Sequence, residues 1–393
     1  MNDSPKPWAA LLLLWTCGAS LRLTVLAVPP VLPIIQQDLQ LSGTQVGLLS
    51  GTPVILFAIA AMPGSSLITG VGVRKALLVG LAVAAIGGMA RTFASSLWLL
   101  LVTTIVMSSG IAAMQPAMAA AVRTWIPERS TFGTAVYTNG LLTGEIIPVA
   151  MMLPIVLPLL GRWQPALAVW SLPLIVTAIL VLLLCPPQST PLPSVPIRWL
   201  PQLNSRLNWQ LGLILGTSAS TYFCVNGFLP ALLGGRHHPE LISPALTALN
   251  LGQIPTSLLL LVVADRLQGR RWPYALCGPL MIVCVAGISY SSGLGTIVWS
   301  ALLGATCGGS LALGLALAPL LCRHPDEVAR TSASAFAISY SFAMLVSLLA
   351  GAVWDVTGKV DYALIPILLG ILPMLILVPT LRLRRSYSDA NTA

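Results

Sequence analysis

The sequence predicts an all-α membrane protein with twelve transmembrane helices, arranged as two pseudo-symmetric six-helix bundles. Of its 393 residues, 56% are hydrophobic and only 8% are charged, whereas soluble domains carry roughly 25% charged residues. The apolar residues form contiguous blocks of about 20 residues or more, the length that crosses a bilayer. A proline-rich polar segment near the midpoint leaves six of these blocks on each side.

Short polar turns separate the twelve predicted helices. The predicted spans are 8–34, 43–69, 75–92, 96–122, 131–160, 163–185, 208–233, 243–264, 272–291, 294–321, 331–354 and 361–381. The first span is too long for the core of a secretion signal and carries Arg22 in its interior, so we predict a retained helix.

Basic residues are distributed unevenly over the loops. When loops are assigned alternately from a cytoplasmic N-terminus, most of the 20 basic residues fall on one side. The opposite side holds Arg91, Arg162, Arg236 and Lys359, and Arg22 lies within the membrane. We expect a multi-pass protein of the bacterial inner membrane, and the positive-inside rule predicts that both of its termini lie in the cytoplasm. The net charge of +9 is explained by this topology and does not indicate nucleic-acid binding.

The proline-rich segment divides the chain into domains. We predict an N-terminal six-helix bundle at 1–185, a cytoplasmic linker at 186–207 and a C-terminal six-helix bundle at 208–393. Two short loops rich in glycine and basic residues, 65–77 and 261–273, occupy corresponding places in the two halves. Duplicated halves with a site near the bilayer midplane are a recurring plan of secondary transporters.

The second of these loops resembles a family signature. Residues 265–271 read Asp-Arg-Leu-Gln-Gly-Arg-Arg and resemble the D-R-x-x-G-R-[RK] motif of the major facilitator superfamily. The first-half copy keeps Gly72, Arg74 and Lys75 but has Thr69 in place of the acid. We predict that Asp265 packs against the N-terminus of the fifth helix, near Ser130 and Thr131, and latches the cytoplasmic side. The residues predicted to act in gating are Arg74, Asp265, Arg266 and Arg270.

Further stretches are similar to the cyanate permease and 2-nitroimidazole transporter branch of that superfamily. They are Arg22 with Pro30 and Pro33, Gly110 to Gln115 with Arg123, Ala135 to Thr138, Tyr222 with Phe228 to Pro230, and the ordered set from Gly304 to Gly358. The resemblance implies the major facilitator fold, alternating access and a small polar or anionic substrate. It does not identify that substrate.

Arg22 is the first candidate for substrate binding. It lies about 14 residues into the first helix, roughly 21 Å along its axis at 1.5 Å per residue, and therefore close to the bilayer midplane. An arginine at this depth costs on the order of 2.5–3.5 kcal/mol on insertion scales and needs compensation. A guanidinium clamp for an anionic substrate is one interpretation, and a structural ion pair is the other.

Glu145 is the acidic residue predicted to lie deepest in a helix, at the same estimated depth as Arg22. A paired carboxylate would be ionised there, and an isolated one would be protonated. Three interpretations remain open: a partner of Arg22, a proton-coupling group, or a protonated spacer.

Uncharged polar residues of helices four, five, seven, eight and eleven are the remaining candidates. The predicted substrate-binding set is Gln115, Tyr137, Asn139, Tyr222, Asn226, Gln253 and Tyr340, with Asn250 as a further candidate. Such side chains also serve as interhelical hydrogen bonds worth about 0.6 kcal/mol each, and both interpretations stay open.

These features favour a secondary active transporter over other classes. The three histidines, at 237, 238 and 324, are predicted to lie in loops, and no nucleophile–base or metal-ligand arrangement is evident. We therefore predict no enzymatic activity, no metal and no cofactor. The expected partners are a small-molecule substrate, the lipid bilayer and protons as a candidate coupling ion, and we expect a monomer. Uptake of a cyanate-like or other small organic anion is the main hypothesis, and efflux of nitroimidazole-like compounds is the alternative.

Overall fold

The structure is a computed structural model that describes residues 5–186, 203–267, 270–322 and 325–381. Within these ranges, it describes no side chains for 60–69, 261–262, 264–266, 319, 325–326 and 329. All regular secondary structure in the described residues is helical. The predicted all-α class is therefore confirmed.

The first half contains six helices. They are α1 (Pro7–Leu39), α2 (43–71), α3 (73–90, continued by a 3₁₀ turn at Arg91–Phe93), α4 (Leu97–Trp125), α5 (Pro127–Leu160) and α6 (Trp163–Leu184). Helices α2 and α3 follow each other without a loop, and only Gly72 departs from helical geometry, with φ 82° and ψ 166°. Glycine reaches this positive φ without steric cost, which explains why the chain turns at this residue.

The second half repeats this pattern. Its helices are α7 (Arg206–Gly235), α8 (242–267), α9 (Trp272–Tyr290), α10 (Leu294–Leu321), α11 (Pro325–Thr357) and α12 (Val360–Thr380). Among the described residues, nine helices are long and apolar enough to span a membrane, and Gly43–Ile59 is a shorter apolar helix. The twelve predicted spans are each matched by a helix.

Some predicted boundaries differ from the structure. The first helix was expected to end at 34, but it continues to Leu39 through the polar residues that follow Ile35. At its end, Trp163 Nε1 donates to Asp38 Oδ2 at 2.7 Å, which ties α1 to the start of α6. Most of the predicted linker, residues 187–202, lies outside the described residues.

Two compact units divide the chain. One contains Met1–Ser42 and Thr52–Trp199, and the other contains Gly43–Gly51 and Leu200–Ala393. Residues 43–51 begin α2 in sequence, yet they pack within the second unit. There, the Asp355 carboxylate accepts from the backbone N–H groups of Gly43 and Thr44, and Ser347 Oγ donates to the Gly47 carbonyl at 2.9 Å.

Small residues bring helix backbones together inside each unit. In the first unit, a side chain at Gly140 or Gly144 of α5 would overlap the carbonyl oxygen of Trp15 or Ala19 of α1. In the second unit, Gly304 of α10 packs in the same way on the Leu249 carbonyl of α8. Close backbone approach through small residues is the usual packing solution between membrane helices.

Candidate functional site

Helix α1 is broken near the middle of its length, at the residue that the sequence singled out. Its first segment ends at Ser20, a four-residue helix spans Leu23–Leu26, and a third segment begins at Val28. Arg22 lies in the first break with φ −125° and ψ −28°. Discontinuous transmembrane helices commonly mark binding sites, because irregular backbone at membrane depth is tolerated where it is buried in protein or lines a cavity.

Prolines explain part of this break. Pro29 and Pro30 stand at the start of the third segment and lack the N–H groups that would bond the carbonyls of Val25 and Leu26 in a continuous helix. Upstream, the backbone N–H groups of Leu21 and Arg22 bond three residues back, to Gly18 and Ala19, at 3.2 and 3.0 Å. The helix is therefore tightened just before Arg22 and interrupted just after Leu26.

The contact between α1 and α5 brings Arg22 to Glu145. Gly144 packs on the Ala19 carbonyl, Glu145 follows Gly144, and Arg22 lies about one turn beyond Ala19. Arg22 Nε lies 3.2 Å from Glu145 Oε1. The sequence placed the two residues at the same depth, and the structure brings them into contact, as expected if Glu145 is a partner of Arg22.

The ion pair is buried. Arg22 is 9% exposed and Glu145 is 3% exposed. The guanidinium carbon of Arg22 also lies 5.1 Å from the centroid of the Phe57 ring, a distance at which a cation is attracted to the face of an aromatic ring. Phe57 itself is buried, so the charged head of Arg22 is held by a carboxylate and an aromatic ring.

A second arginine lies in the interior of the same unit. Arg91 was predicted to lie at the end of the third span, on the side opposite the linker. The structure places it at the end of α3, and its exposure is 0%, a burial that the sequence did not predict. Its Nη1 donates to the Thr24 carbonyl at 2.9 Å, and its Nη2 donates to Thr104 Oγ1 at 3.0 Å. Among the described residues, the buried Asp, Glu, Lys and Arg side chains are Arg22, Arg91 and Glu145. Their formal charges sum to +1.

The uncharged candidate residues of the first unit differ in their exposure and in their contacts. Asn139 is exposed, and its Oδ1 accepts from Trp15 Nε1 at 3.0 Å, which links α5 to α1. Tyr137 is half-buried, and its carbonyl packs on Gly18. Gln115 is also half-buried. A role in substrate binding stays a prediction for all three.

In the second unit, the structure brings Tyr222, Asn226 and Asn250 into one buried network. Tyr222 donates its hydroxyl to Asn250 Oδ1 at 2.6 Å, and Asn250 Nδ2 donates to Asn226 Oδ1 at 3.3 Å. Asn226 Nδ2 donates to the Tyr222 carbonyl at 2.9 Å. The network joins α7 to α8, so a substrate that used these groups would have to exchange with bonds that already exist. The structure thus shows interhelical hydrogen bonds for these residues, and substrate binding by them stays a prediction.

The network adjoins Gly252, the single residue between the two segments of α8, where the backbone stays close to helical with φ −58° and ψ −24°. The first segment of this helix ends at Leu251, and the second begins at Gln253. Gln253 is buried and packs on Gly308 of α10. On α11, the ring of Tyr340 stacks on Phe336 with a centroid distance of 5.9 Å. Substrate binding by Gln253 and Tyr340 stays a prediction.

The predicted gating residues are described only in part. Arg74 Nη2 donates to the Leu182 carbonyl of α6 at 2.9 Å, and Arg270 is exposed. The side chains of Asp265 and Arg266 lie outside the described residues, as does the latch that was predicted for Asp265.

Sequence reasoning missed two features of the Arg22 site, the Phe57 ring and the glycine contact between α5 and α1. Phe57 carries no signal in an apolar helix, because one more aromatic residue there is unremarkable. The close contact between α5 and α1, called the seam below, positions Glu145 and did carry a sequence signal. Gly140-Leu-Leu-Thr-Gly144 is a G-x-x-x-G pattern typical of closely packed membrane helices.

Comparison with known proteins decides the family. The model of the Major Facilitator Superfamily matches residues 14–232, more than half of the chain. The chain belongs to the major facilitator superfamily. Members of this superfamily are secondary transporters of small solutes, so the chain is a membrane transporter and not an enzyme.

Curated relatives within the superfamily match most of the chain. The 2-nitroimidazole transporter of Escherichia coli (strain K12) is 25% identical over 349 residues, covering 87% of each chain. The cyanate transport protein CynX of the same organism is 25% identical over 355 residues, covering 89% of this chain and 91% of the relative. The predicted resemblance to this branch is therefore confirmed.

Solved structures share the fold. The nucleoside transporter NupG superposes with a TM-score of 0.73 at 13% identity, covering 95% of this chain and 98% of the other. A D-xylose–proton symporter gives the same TM-score at 12% identity, covering 94% and 97%. This likeness shows the twelve-helix superfamily fold.

Proposed function

We propose that this transporter moves a small anion across the bacterial inner membrane, with both termini in the cytoplasm, and that Arg22 is its anion-binding group. The observation that carries the proposal is the Arg22–Glu145 pair at the break of α1, with Nε and Oε1 3.2 Å apart. A guanidinium presents several N–H donors in a planar fork that matches a carboxylate-like anion. Glu145 engages this fork through Nε.

The charge balance of the first unit supports an anionic substrate. The buried charges of its described residues are two arginines and one glutamate, and burying uncompensated charge in an apolar interior is costly. A monovalent anion that enters this interior while Glu145 is ionised brings the sum of these charges to zero, and a proton that then binds Glu145 returns it to +1. An uncharged nitroimidazole, the alternative substrate class, would leave the sum unchanged.

The exchange of partners at Arg22 supplies a route for proton coupling. An anion that bonds the guanidinium competes with Glu145, and a carboxylate displaced from its cationic partner in a buried position binds a proton. Anion binding and proton binding then favour each other, because each stabilises the state that the other needs. The transporter would carry an anion and a proton together, as a symporter.

Uptake into proteoliposomes tests this proposal. Purified protein is given labelled cyanate, formate or nitrite, or labelled 2-nitroimidazole, and initial rates are compared with those of protein-free liposomes. We expect saturable uptake of at least one anion, its loss in Arg22→Ala, and partial retention in Arg22→Lys, which keeps the charge without the fork. Uptake of 2-nitroimidazole alone, unaffected by Arg22→Ala, would favour the alternative substrate and refute the anion site.

A further inference from the structure

Arg91 joins three helices of the first unit. It stands at the end of α3, and its guanidinium bonds the Thr24 carbonyl of α1 at 2.9 Å and Thr104 Oγ1 of α4 at 3.0 Å. The side chain is fully buried. No carboxylate of the described residues forms an ion pair with it.

The Thr24 carbonyl belongs to the broken part of α1. Thr24 lies within Leu23–Leu26, the four-residue helix between the two interruptions. The backbone N–H groups of Val25 and Leu26 both bond the Arg22 carbonyl, at 3.1 and 3.0 Å. Arg22 and Thr24 therefore belong to the same short turn, and a group that holds Thr24 also holds the backbone of Arg22.

A charged donor suits this position. Backbone carbonyls in a broken membrane helix need partners from neighbouring helices, because the bilayer interior supplies no water. A hydrogen bond from an ionised donor is stronger than one between neutral groups, and the planar guanidinium reaches two acceptors on different helices at once. Lysine, with a single ammonium on a flexible stem, cannot reproduce this geometry.

We infer that Arg91 is a positioning residue of the anion site: it clamps the short turn of α1 against α4 and thereby directs Arg22 towards Glu145. The inference rests on the proposed function for its link to anion binding. The clamp itself, the hold of Arg91 on the turn, is independent of the substrate. Arg91 belongs to α3, and Glu145 reaches Arg22 from α5, so the turn is held from two directions.

Substitutions at Thr104 probe the clamp without touching Arg22 or Glu145. Thr104→Val removes the hydroxyl that receives Arg91 Nη2, and Thr104→Ser keeps it. Thr103→Val is the matched control, because Thr103 is the neighbouring residue on α4 and its hydroxyl bonds only its own helix, at the carbonyls of Leu99 and Leu100.

The first measurement is the concentration dependence of labelled cyanate uptake in proteoliposomes. We expect Thr104→Val to raise KM about tenfold while Vmax stays within about twofold, since a misdirected Arg22 weakens binding. Thr104→Ser should restore the wild-type KM, and Thr103→Val should leave it unchanged. A fall in Vmax at constant KM, or failure of Thr104→Ser to rescue, would reduce Thr104 to a packing residue and overturn the inference.

The second measurement needs no substrate. Hydrogen–deuterium exchange of the detergent-purified protein is followed in peptides that cover residues 20–28. Arg91→Lys and Thr104→Val should speed exchange in this segment about tenfold, because local opening is easier without the clamp, and Thr103→Val should not. Unchanged exchange in both variants would refute the clamp. The proposed function fails if wild-type protein takes up no cyanate and Arg22→Ala alters the uptake of no anion. Even then, the hydrogen–deuterium exchange data decide whether Arg91 holds the turn.

Discussion

At the level of single residues, the proposed function depends on the groups that compensate the buried positive charge of Arg22. Its guanidinium lies beside the Glu145 carboxylate and near the face of Phe57. Removing one partner of a buried ion pair costs about 3–5 kcal/mol, because the remaining charge is left uncompensated. The pair therefore contributes to the integrity of the first unit whether or not it binds substrate.

A double substitution separates these two contributions. Arg22→Gln and Glu145→Gln should each lower the thermal stability of the detergent-purified protein, and Arg22→Gln/Glu145→Gln should regain part of the loss, because neither of these two positions then carries an uncompensated charge. Anion uptake should stay absent in the double variant. Additive losses of stability would contradict the pairing.

The depth of Arg22 and Glu145 could be read from the sequence, because counting residues at a fixed rise places a side chain along the helix axis. Their mutual direction could not, since it depends on the break in α1. The burial of Arg91 was not predicted for a related reason. Arg91 lies at the end of the predicted third span, where sequence cannot distinguish a side chain that faces outward from one that turns back into the bundle.

At the scale of elements, the site depends on the seam between α1 and α5. Gly140 and Gly144 place the α5 backbone against the carbonyls of Trp15 and Ala19. Helix α5 also contains a π-helical stretch at Met152–Val156, which includes Pro154, and such stretches occur often at functional sites. The helical hydrogen-bond pattern of α5 changes in this stretch.

A side chain at Gly144 should separate the two helices. We expect Gly144→Val to reduce anion uptake at least about tenfold, because even a small shift of a positioned group is costly. Gly70→Ala is the control, since its Cβ would meet no heavy atom of the described side chains and backbone within 4 Å. Both variants would be compared by uptake rate and by the amount of folded protein in gel filtration. Wild-type uptake in Gly144→Val would show that the seam does not position the pair.

The positions of the helices could be predicted from the sequence more readily than the irregularities within them. Twelve apolar blocks predicted twelve helices, because a membrane span must be long and apolar. The break in α1 was not located, since Pro29 and Pro30 lie several residues beyond Arg22. The Asn250 network was not predicted as a unit, because the sequence offered its members only as separate weak candidates.

At the scale of the whole molecule, the distribution of charge predicts the orientation in the membrane. A cysteine introduced by Ser194→Cys, in the predicted linker, should react with a membrane-impermeant maleimide only from the cytoplasmic side. Tyr290→Cys, at the end of α9, where the side chain is 93% exposed, should react from the opposite side. Labelling of Ser194→Cys in intact cells would overturn the topology.

In the proposed mechanism, an anion displaces Glu145 from Arg22, and Glu145 then carries a proton. The most direct test of this mechanism records anion uptake and internal pH together in proteoliposomes, with labelled cyanate outside and a pH-sensitive dye inside. We expect wild-type protein to acidify the lumen as the anion enters, and Arg22→Ala to abolish both anion uptake and acidification. Glu145→Gln should retain anion binding but lose proton movement and the pH dependence of transport. The proposed mechanism would be contradicted if Glu145→Gln moved as many protons per anion as the wild type, or if Arg22→Ala took up the anion at the wild-type rate.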